Sequence, residues 1–328
     1  MNALAKLAQT INQSLGFRHK SDIAAVIDIL SKQIPYQDIN DITLGDDCAA
    51  IPDQDGFLLF AVEGFLNEFV ETEAWFAGYC GVMVNISDVY AMGGRPIAVV
   101  DALWCDGQEK ATSILEGMIA ASEIYKIPIV GGHSNLRNDR SQLSVAILGR
   151  ANKLLSSFSA KPGQKLMVAV DLRGQFREPY AWWDASTDAP AKRLRDDLEL
   201  LPLLAEAGLC TAAKDISMAG MVGTVLMLLE SSNLGGTIDI STIPRPPDIS
   251  LERWLCCFPS YGFVFSAENE NTPAIIEHFN GRSIACAVIG ETDTSSCLRL
   301  TEGSNEELLW DLQANPLTGC CKKLNSEF

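Results

Sequence analysis

Five carboxylates stand where a folded chain collects reactive groups. Asp46 and Asp47 follow a glycine in LGDDCAAIP, and Glu63 closes the apolar run FLLFAV just before Gly64. Asp88 lies in VNISDVYAMGG, and Asp215 lies in KDISMAGMVGT ahead of a glycine-rich segment. The chemistry that wants several carboxylates together is cation binding. Mg²⁺ takes oxygen ligands and is commonly shared between a few carboxylates and substrate phosphates. Such an ion would mask the repulsion between a nucleotide and an acidic chain, and would draw charge from a phosphoryl group in transfer. Asn85 and Asp88 are three residues apart, so a helix through them puts both on one face. There Asn85 could orient Asp88 or meet a phosphate–metal cluster. Each acid also has an ordinary use. Asp46 and Asp47 serve equally as a solvated turn, and Asp215 as the cap of the helix that follows. The GMVG of Gly220–Gly223 is neither a Walker nor a dinucleotide-binding fingerprint.

The elements that must position these groups alternate in type. Phe57–Val62, Pro96–Trp104, Ile127–Val130 and Gln142–Gly149 are apolar runs of strand length, and Glu73–Met92 and Ala111–Tyr125 have helical spacing. After the small, polar stretch Ser156–Gly163, a candidate linker, the pattern restarts. Lys165–Val170, Tyr261–Ser266 and Ile284–Gly290 are strand-like, and Lys192–Leu209 and Met218–Glu230 are helical. Arg173–Pro190 is polar and aromatic and predicts a long loop, in which Trp182 and Trp183 could form a stacking wall. Leu4, Leu7, Ile11 and Leu15 predict a short amphipathic helix. The expectation is an α/β (α+β) chain of two domains, residues 1–155 and 156–328.

Composition narrows the function classes. The chain has 328 residues, with 25 Lys+Arg against 42 Asp+Glu, a net charge of −17. No basic footprint for nucleic acid or an anionic membrane is present. The longest apolar stretch, Met218–Leu229, has 12 residues, well short of the roughly 20 that span a bilayer. The N-terminus has no continuous apolar core of a signal peptide. Ten cysteines without C-x-x-C, and three histidines, argue against zinc and for reduced thiols in a cytoplasmic protein.

Four segments in order, LGDDCAAI, VNISDVYAMGGRPIAVVDAL, IVGGHSNLRNDRSQLSVAILG and KDISMAGMVGTVLMLLESSNLGGTIDISTIP, resemble a superfamily. Its members include aminoimidazole ribonucleotide (AIR) synthetase, thiamine-monophosphate kinase, selenophosphate synthetase and a hydrogenase maturation factor. The resemblance runs from about residue 40 to 300. It implies a two-domain AIR synthetase-like fold, whose N-terminal sheet pairs with that of a second subunit into a dimeric barrel, followed by a C-terminal α/β domain. It implies ATP and Mg²⁺ as cofactors, a small-molecule substrate and a homodimer. Carried over by motif, Asp47, Asp88 and Asp215 would be metal ligands, with Asp46 supporting or sharing that role. Asn85, Gly131, Gly132 and Gly220 would line the nucleotide site.

Two positions depart from the pattern. Glu63 stands at the strand end where the superfamily usually has Asp; it keeps the charge for a metal but reaches one methylene further. His133 follows Gly131-Gly132 where thiamine-monophosphate kinase-like chains carry Asp. Imidazole is a poor Mg²⁺ ligand, so His133 is a candidate for hydrogen bonding or proton transfer, or an ordinary loop histidine. The Gly-Cys-Gly-Cys-Lys loop of selenophosphate synthetase is missing. The reading is a Mg–ATP-dependent enzyme that phosphorylates a small molecule or passes through a phosphorylated intermediate. The alternative is a nucleotide-binding regulatory protein with this fold and no turnover.

Overall fold

The computed structural model describes residues 3–33 and 44–321. The chain opens with α1 (Ala3–Gln13), α2 (Leu15–Lys20) and α3 (Asp22–Gln33). The amphipathic pattern through Leu15 is interrupted at Ser14. Its backbone is extended, and its hydroxyl accepts the Phe17 N–H at 3.4 Å, capping a new helix. Leu4, Leu7 and Ile11 are buried, while Leu15 is 71% exposed.

Next come β1 (Ala49–Asp53), β2 (Gly56–Gly64), α4 (Asn67–Thr72), α5 (Ala74–Ala91), β3 (Arg95–Asp106), α6 (Gln108–Tyr125), β4 (Ile129–Asn135) and β5 (Arg137–Ala151). The strands form a sheet in the order β1-β2-β5-β3-β4, antiparallel except for the parallel β3–β4 pair. The strand predicted for 127–130 runs on to Asn135, so Gly131, Gly132 and His133 are strand residues.

The second half holds β6 (Lys165–Val170), β7 (Gln175–Phe176), β8 (Trp182–Asp184), α7 (Ala191–Leu198), α8 (Leu200–Glu206), β9 (Ala212–Asp215), α9 (Gly220–Ser231) and β10 (Gly235–Asp239). It ends with α10 (Leu251–Leu255), β11 (Phe258–Pro259), β12 (Gly262–Ala267), α11 (Thr272–Asn280), β13 (Ala285–Asp293), β14 (Cys297–Glu302) and β15 (Asn305–Asp311). A seven-stranded sheet runs β15-β14-β10-β13-β6-β12-β9. The helix expected over 192–209 is two helices. Pro202 has no N–H to continue the ladder, and its ring opposes the carbonyl four residues back. The loop expected over 173–190 contains β7 and β8, which join β11 in a small sheet. Strand alternation sends the two tryptophans to opposite sides, so they form no common wall. Trp183 is buried, donates Nε1–H to the Asp171 carbonyl at 2.8 Å and meets Trp254 edge-on at 5.2 Å. Trp182 stacks on Tyr180 at 4.0 Å.

Packing groups the chain into two compact units. The first comprises the described residues of Met1–Asp46, Leu154–Asp188 and Leu204–Phe328; the second comprises Asp47–Lys153 and Ala189–Leu203. In the first, α9 is buried along its whole length, and the core gathers Val222, Val225 and Leu226 of α9 with Leu166 and Val168 of β6 and Val264 of β12. In the second, α5 is covered by the sheet on one side and by α6 on the other, and every residue from Phe76 to Val89 is buried. The opposite face of that sheet is bare and apolar: Phe60 and Val62 of β2, Ile97 and Val100 of β3, Val130 of β4 and Leu148 of β5 are all exposed.

One ion pair ties this second unit together. Glu71 on α4 accepts from Lys110 Nζ of α6 and from the Ser141 N–H of β5 at 2.6 Å. The Lys110 bond first, then the Ser141 bond, lower its pKa from 4.5 to about 2. Because the folded pKa is depressed, this stabilisation is complete above 4.5 and is lost as pH falls toward 2. The stability gap between wild type and Glu71→Gln, measured by urea unfolding, should therefore be constant above about pH 5 and shrink toward zero near pH 2.

Candidate metal centre

Two of the predicted acids meet within the second unit. Asp47 immediately precedes Cys48 and the strand β1; Asp88 sits in the last turn of α5. The β1–β2 register and the packing of α5 on the same sheet bring their carboxylate oxygens within 4.8 Å of each other. Asp88 is buried and Asp47 half-buried. Asn85, one turn before Asp88, is fully buried. Its Nδ2 donates to the Gly81 carbonyl at 2.8 Å, and its Oδ1 has no hydrogen-bond partner. A buried acceptor left unmatched costs about 1–3 kcal/mol. It is an oxygen of the kind a hard cation or a bound donor group would satisfy. Two close carboxylates, with an unmatched amide oxygen one helical turn from the second of them, fit a divalent cation.

Asp46 has a different job from its neighbour. Its carboxylate accepts from the Ser156 hydroxyl at 2.7 Å, and from the Ser157 hydroxyl at 2.7 Å and N–H at 3.1 Å, with Lys214 Nζ 4.0 Å away. All four groups belong to the first unit. Asp215 closes β9 in that unit, 5% exposed and in register with Phe263 of β12. Gly220 starts α9 with φ +70°, and a Cβ there would lie 2.1 Å from the Leu255 carbonyl oxygen, so close packing requires glycine.

Glu63 does not join the Asp47–Asp88 pair at 4.8 Å. It is half-buried on β2 opposite Val145 of β5, and Val145 is opposite Asp101 of β3. Asp101 was not among the residues expected from sequence. Its Oδ2 is buried without a hydrogen-bond partner, and burial raises its pKa. The signal was there: an acid inside the apolar run PIAVVDALW of a strand. Gly132, paired with Asp101 in register, is forced to be small, because a Cβ would fall 2.4 Å from Asp101 Oδ1. Gly131 beside it is open, and His133 is exposed on this edge strand with its ring 5.9 Å from that of Trp104.

The N-terminal domain of the AIR synthase related protein family matches residues 45–151, and its C-terminal domain matches residues 180–301. An uncharacterized protein of Synechocystis sp. is 45% identical over 96% of this chain and 98% of its own length. Among solved structures, T. maritima PurL complexed with ADP superposes with a TM-score of 0.74 at 19% identity, covering 100% of this chain and 53% of that one. The chain thus spans about half the length of that PurL. AaThiL complexed with AMPPCP and TMP gives a TM-score of 0.64 at 18% identity, over 85% of this chain and 94% of that one. These two likenesses show a shared mixed α/β, two-domain fold.

Proposed function

The chain belongs to the AIR synthase-related protein family, and from that premise we propose that it is an ATP- and Mg²⁺-dependent enzyme acting on a small molecule. It transfers a phosphoryl group or passes through a phosphorylated intermediate. The observation that carries the reading is the Asp47–Asp88 carboxylate pair, with the buried, unmatched Oδ1 of Asn85 one helical turn before Asp88. Nucleotides bound to the solved PurL and ThiL neighbours support it. In this reading Asp47 and Asp88 hold the cation, Asp215 being a further ligand by the motif resemblance alone, and Asn85 orients the group bound beside Asp88. Glu63 takes a supporting place on the metal side. Asp46 contributes by anchoring the loop that carries Asp47. Gly131, Gly132 and Gly220 keep backbone free of side chains near the nucleotide, and His133 is the available proton-transfer group. When bound, Mg²⁺ would neutralise phosphate charge against a chain of net charge −17. The test is calorimetric titration with ATP, with and without Mg²⁺, followed by a screen for substrate-dependent ADP or phosphate release. ATP binding that requires Mg²⁺ supports the reading, and absence of ATP binding in either condition overturns it.

The bare apolar sheet face supports a homodimer. Single exposed apolar residues are ordinary, but a contiguous set on one sheet face marks an interaction surface. Phe60 and Leu148 are direct cross-strand partners, and Val62, Ala146 and Val100 form the next row. We place a second copy of the chain on this face. Val62→Lys puts a charge at the centre of the patch while pointing away from α5. It should shift the mass in analytical ultracentrifugation from two chains to one without loss of the circular dichroism signal. A wild-type protein already monomeric at micromolar concentration would remove this assembly. No helix among the described residues is long and apolar enough to cross a membrane. Burial pushes the Cys210, Cys257 and Cys286 thiols up to about 12. They remain protonated at neutral pH, which suits a reducing cytoplasmic compartment.

A further inference from the structure

Helix α9 reads as a plain core helix, yet it ends on an acid with no counter-charge in its own sequence. Glu230 is 5% exposed, at the end of GMVGTVLMLLES. A buried carboxylate is costly unless donors surround it. Here four do, and all come from one short segment near the C-terminus. Oε1 accepts the N–H of Leu317 at 2.8 Å and of Gly319 at 3.1 Å. Oε2 accepts the N–H of Thr318 at 2.8 Å and its hydroxyl at 2.6 Å. Charge-assisted bonds of this kind are about twice as strong as neutral ones. The segment has no regular secondary structure of its own, so its shape is set by Glu230 and by burial of Leu317 in the core.

That shape reaches the acidic loop. Cys320, whose N–H donates to the Thr318 hydroxyl at 3.2 Å, is buried against Gly45. Gly45 has φ +105°, and a Cβ built on it would lie 2.2 Å from Cys320 Sγ. The thiol therefore fills the space where a side chain at residue 45 would project. On its other side the segment passes Ala24 of α3, 3.7 Å from a Cβ built at Gly319. The next residue after Gly45 is Asp46, held by Ser156 and Ser157, and α9 supports that attachment as well. Ser232, just past its end, donates to the Ser157 carbonyl at 2.6 Å and accepts the Ala160 N–H at 3.0 Å. The end of α9 thus braces the 45–46 backbone from two directions.

We infer that Glu230 is a positioning residue: it clasps residues 317–320 as a strap, and the strap's Cys320 fixes the Gly45–Asp46 backbone from which Asp47 follows. The strap's effect on nucleotide binding rests on the metal reading given above; its effect on the loop does not. Glu230→Gln keeps the size but turns an amide NH₂ toward donors. Cys320→Gly keeps the Glu230 bonds and removes the thiol against Gly45, together with its weak bond to the Thr318 carbonyl at 3.8 Å.

Two readouts test the inference on the full-length protein. In hydrogen–deuterium exchange, Glu230→Gln should speed exchange about tenfold or more at residues 317–320 and at 44–48, given the usual worth of bonds to a charged group. Cys320→Gly should speed exchange at 44–48 alone. Affinity for Mg²⁺–ATP should weaken about tenfold in Glu230→Gln, because a loop that must be ordered on binding reduces apparent affinity by its competent fraction. If 317–320 loosens while 44–48 keeps wild-type exchange in both variants, the strap does not hold the loop and the inference fails. It fails equally if exchange rises evenly over the whole unit with Mg²⁺–ATP affinity unchanged, the signature of a merely structural glutamate. Should Glu230→Gln not fold, the 44–48 exchange of Cys320→Gly decides. A wild type that binds no Mg²⁺–ATP removes the metal reading, and the exchange comparison still judges the strap.

Discussion

Asp47→Asn is expected to abolish the Mg²⁺-dependent part of stabilisation by ATP while leaving the unliganded protein at least as stable as wild type. At about 100 times its Kd a ligand adds about 2.7 kcal/mol. For domains of 150–250 residues each kcal/mol moves Tm by about 2–4 °C, so the wild-type shift should be about 5–10 °C. The two signs come from one piece of geometry. In the absence of a cation, carboxylates within 4.8 Å repel each other, and removing one charge relieves that repulsion. With a cation present, the same charge is its ligand. A thermal unfolding titration of both proteins with ATP, with and without Mg²⁺, reads both signs. Asp215→Asn should lose the Mg²⁺-dependent shift as well. If Asp47→Asn keeps the whole shift, Asp47 is not a ligand and the carboxylate pair has another purpose. If wild type shows no shift with ATP in any form, the enzyme reading is lost and the fold has been put to other use.

Much of this arrangement could be read from residue patterns, and the parts that could not have physical reasons. Apolar runs such as FLLFAV and KLMVAV became β2 and β6: KLMVAV is buried within its sheet, while FLLFAV leaves Phe60 and Val62 on a bare sheet face. The helix through Asp88 was legible from the spacing of Phe76, Cys80, Met83 and Ile86. Its burial on all sides was not, because α6 covers the face left over by the sheet. Asp46 and Asp47 looked interchangeable. Their fates diverge with the partners that each carboxylate finds. One carboxylate is taken by Ser156 and Ser157, over a hundred residues away in sequence, and the other approaches Asp88. Only the tertiary fold supplies those partners. Glu230 was hidden for a related reason: a glutamate at a helix end ordinarily faces water, and its partners are backbone N–H groups of a distant segment, which leave no mark on the sequence. The interruption at Pro202 could have been foreseen, since a proline in the interior of the helix expected over 192–209 breaks the ladder.

Gly117→Ala should unfold or severely destabilise the protein, although alanine is the better helix former. In an exposed helix the change would add about 0.5–1 kcal/mol of stability. Here a Cβ at residue 117 on α6 would lie 1.8 Å from the Trp75 carbonyl oxygen and 2.8 Å from the Tyr79 nitrogen of α5. Those are backbone atoms of a buried helix, and no side chain can rotate away to make room. The contact is reciprocal: a Cβ on Gly78 of α5 would lie 1.9 Å from the Ile114 carbonyl oxygen of α6. Either substitution must push the two helices apart, and α5 is already seated on the sheet on its other side. Overpacking typically costs about 1–3 kcal/mol, and more when backbone has to move, so a loss of about 3 kcal/mol or more is expected. On the same scale that lowers Tm by about 6–12 °C. Thr112→Ala on the exposed face of α6 is the control and should stay within about 0.5 kcal/mol of wild type. The consequence extends past stability, because α5 carries Asn85 and Asp88. Where Gly117→Ala still folds, its Mg²⁺–ATP affinity should fall with its Tm, since a shift of α5 separates Asp88 from Asp47. A Gly117→Ala protein with wild-type Tm would show that α5 and α6 are not in the close contact described, and with it would go the geometry that brings the two carboxylates together.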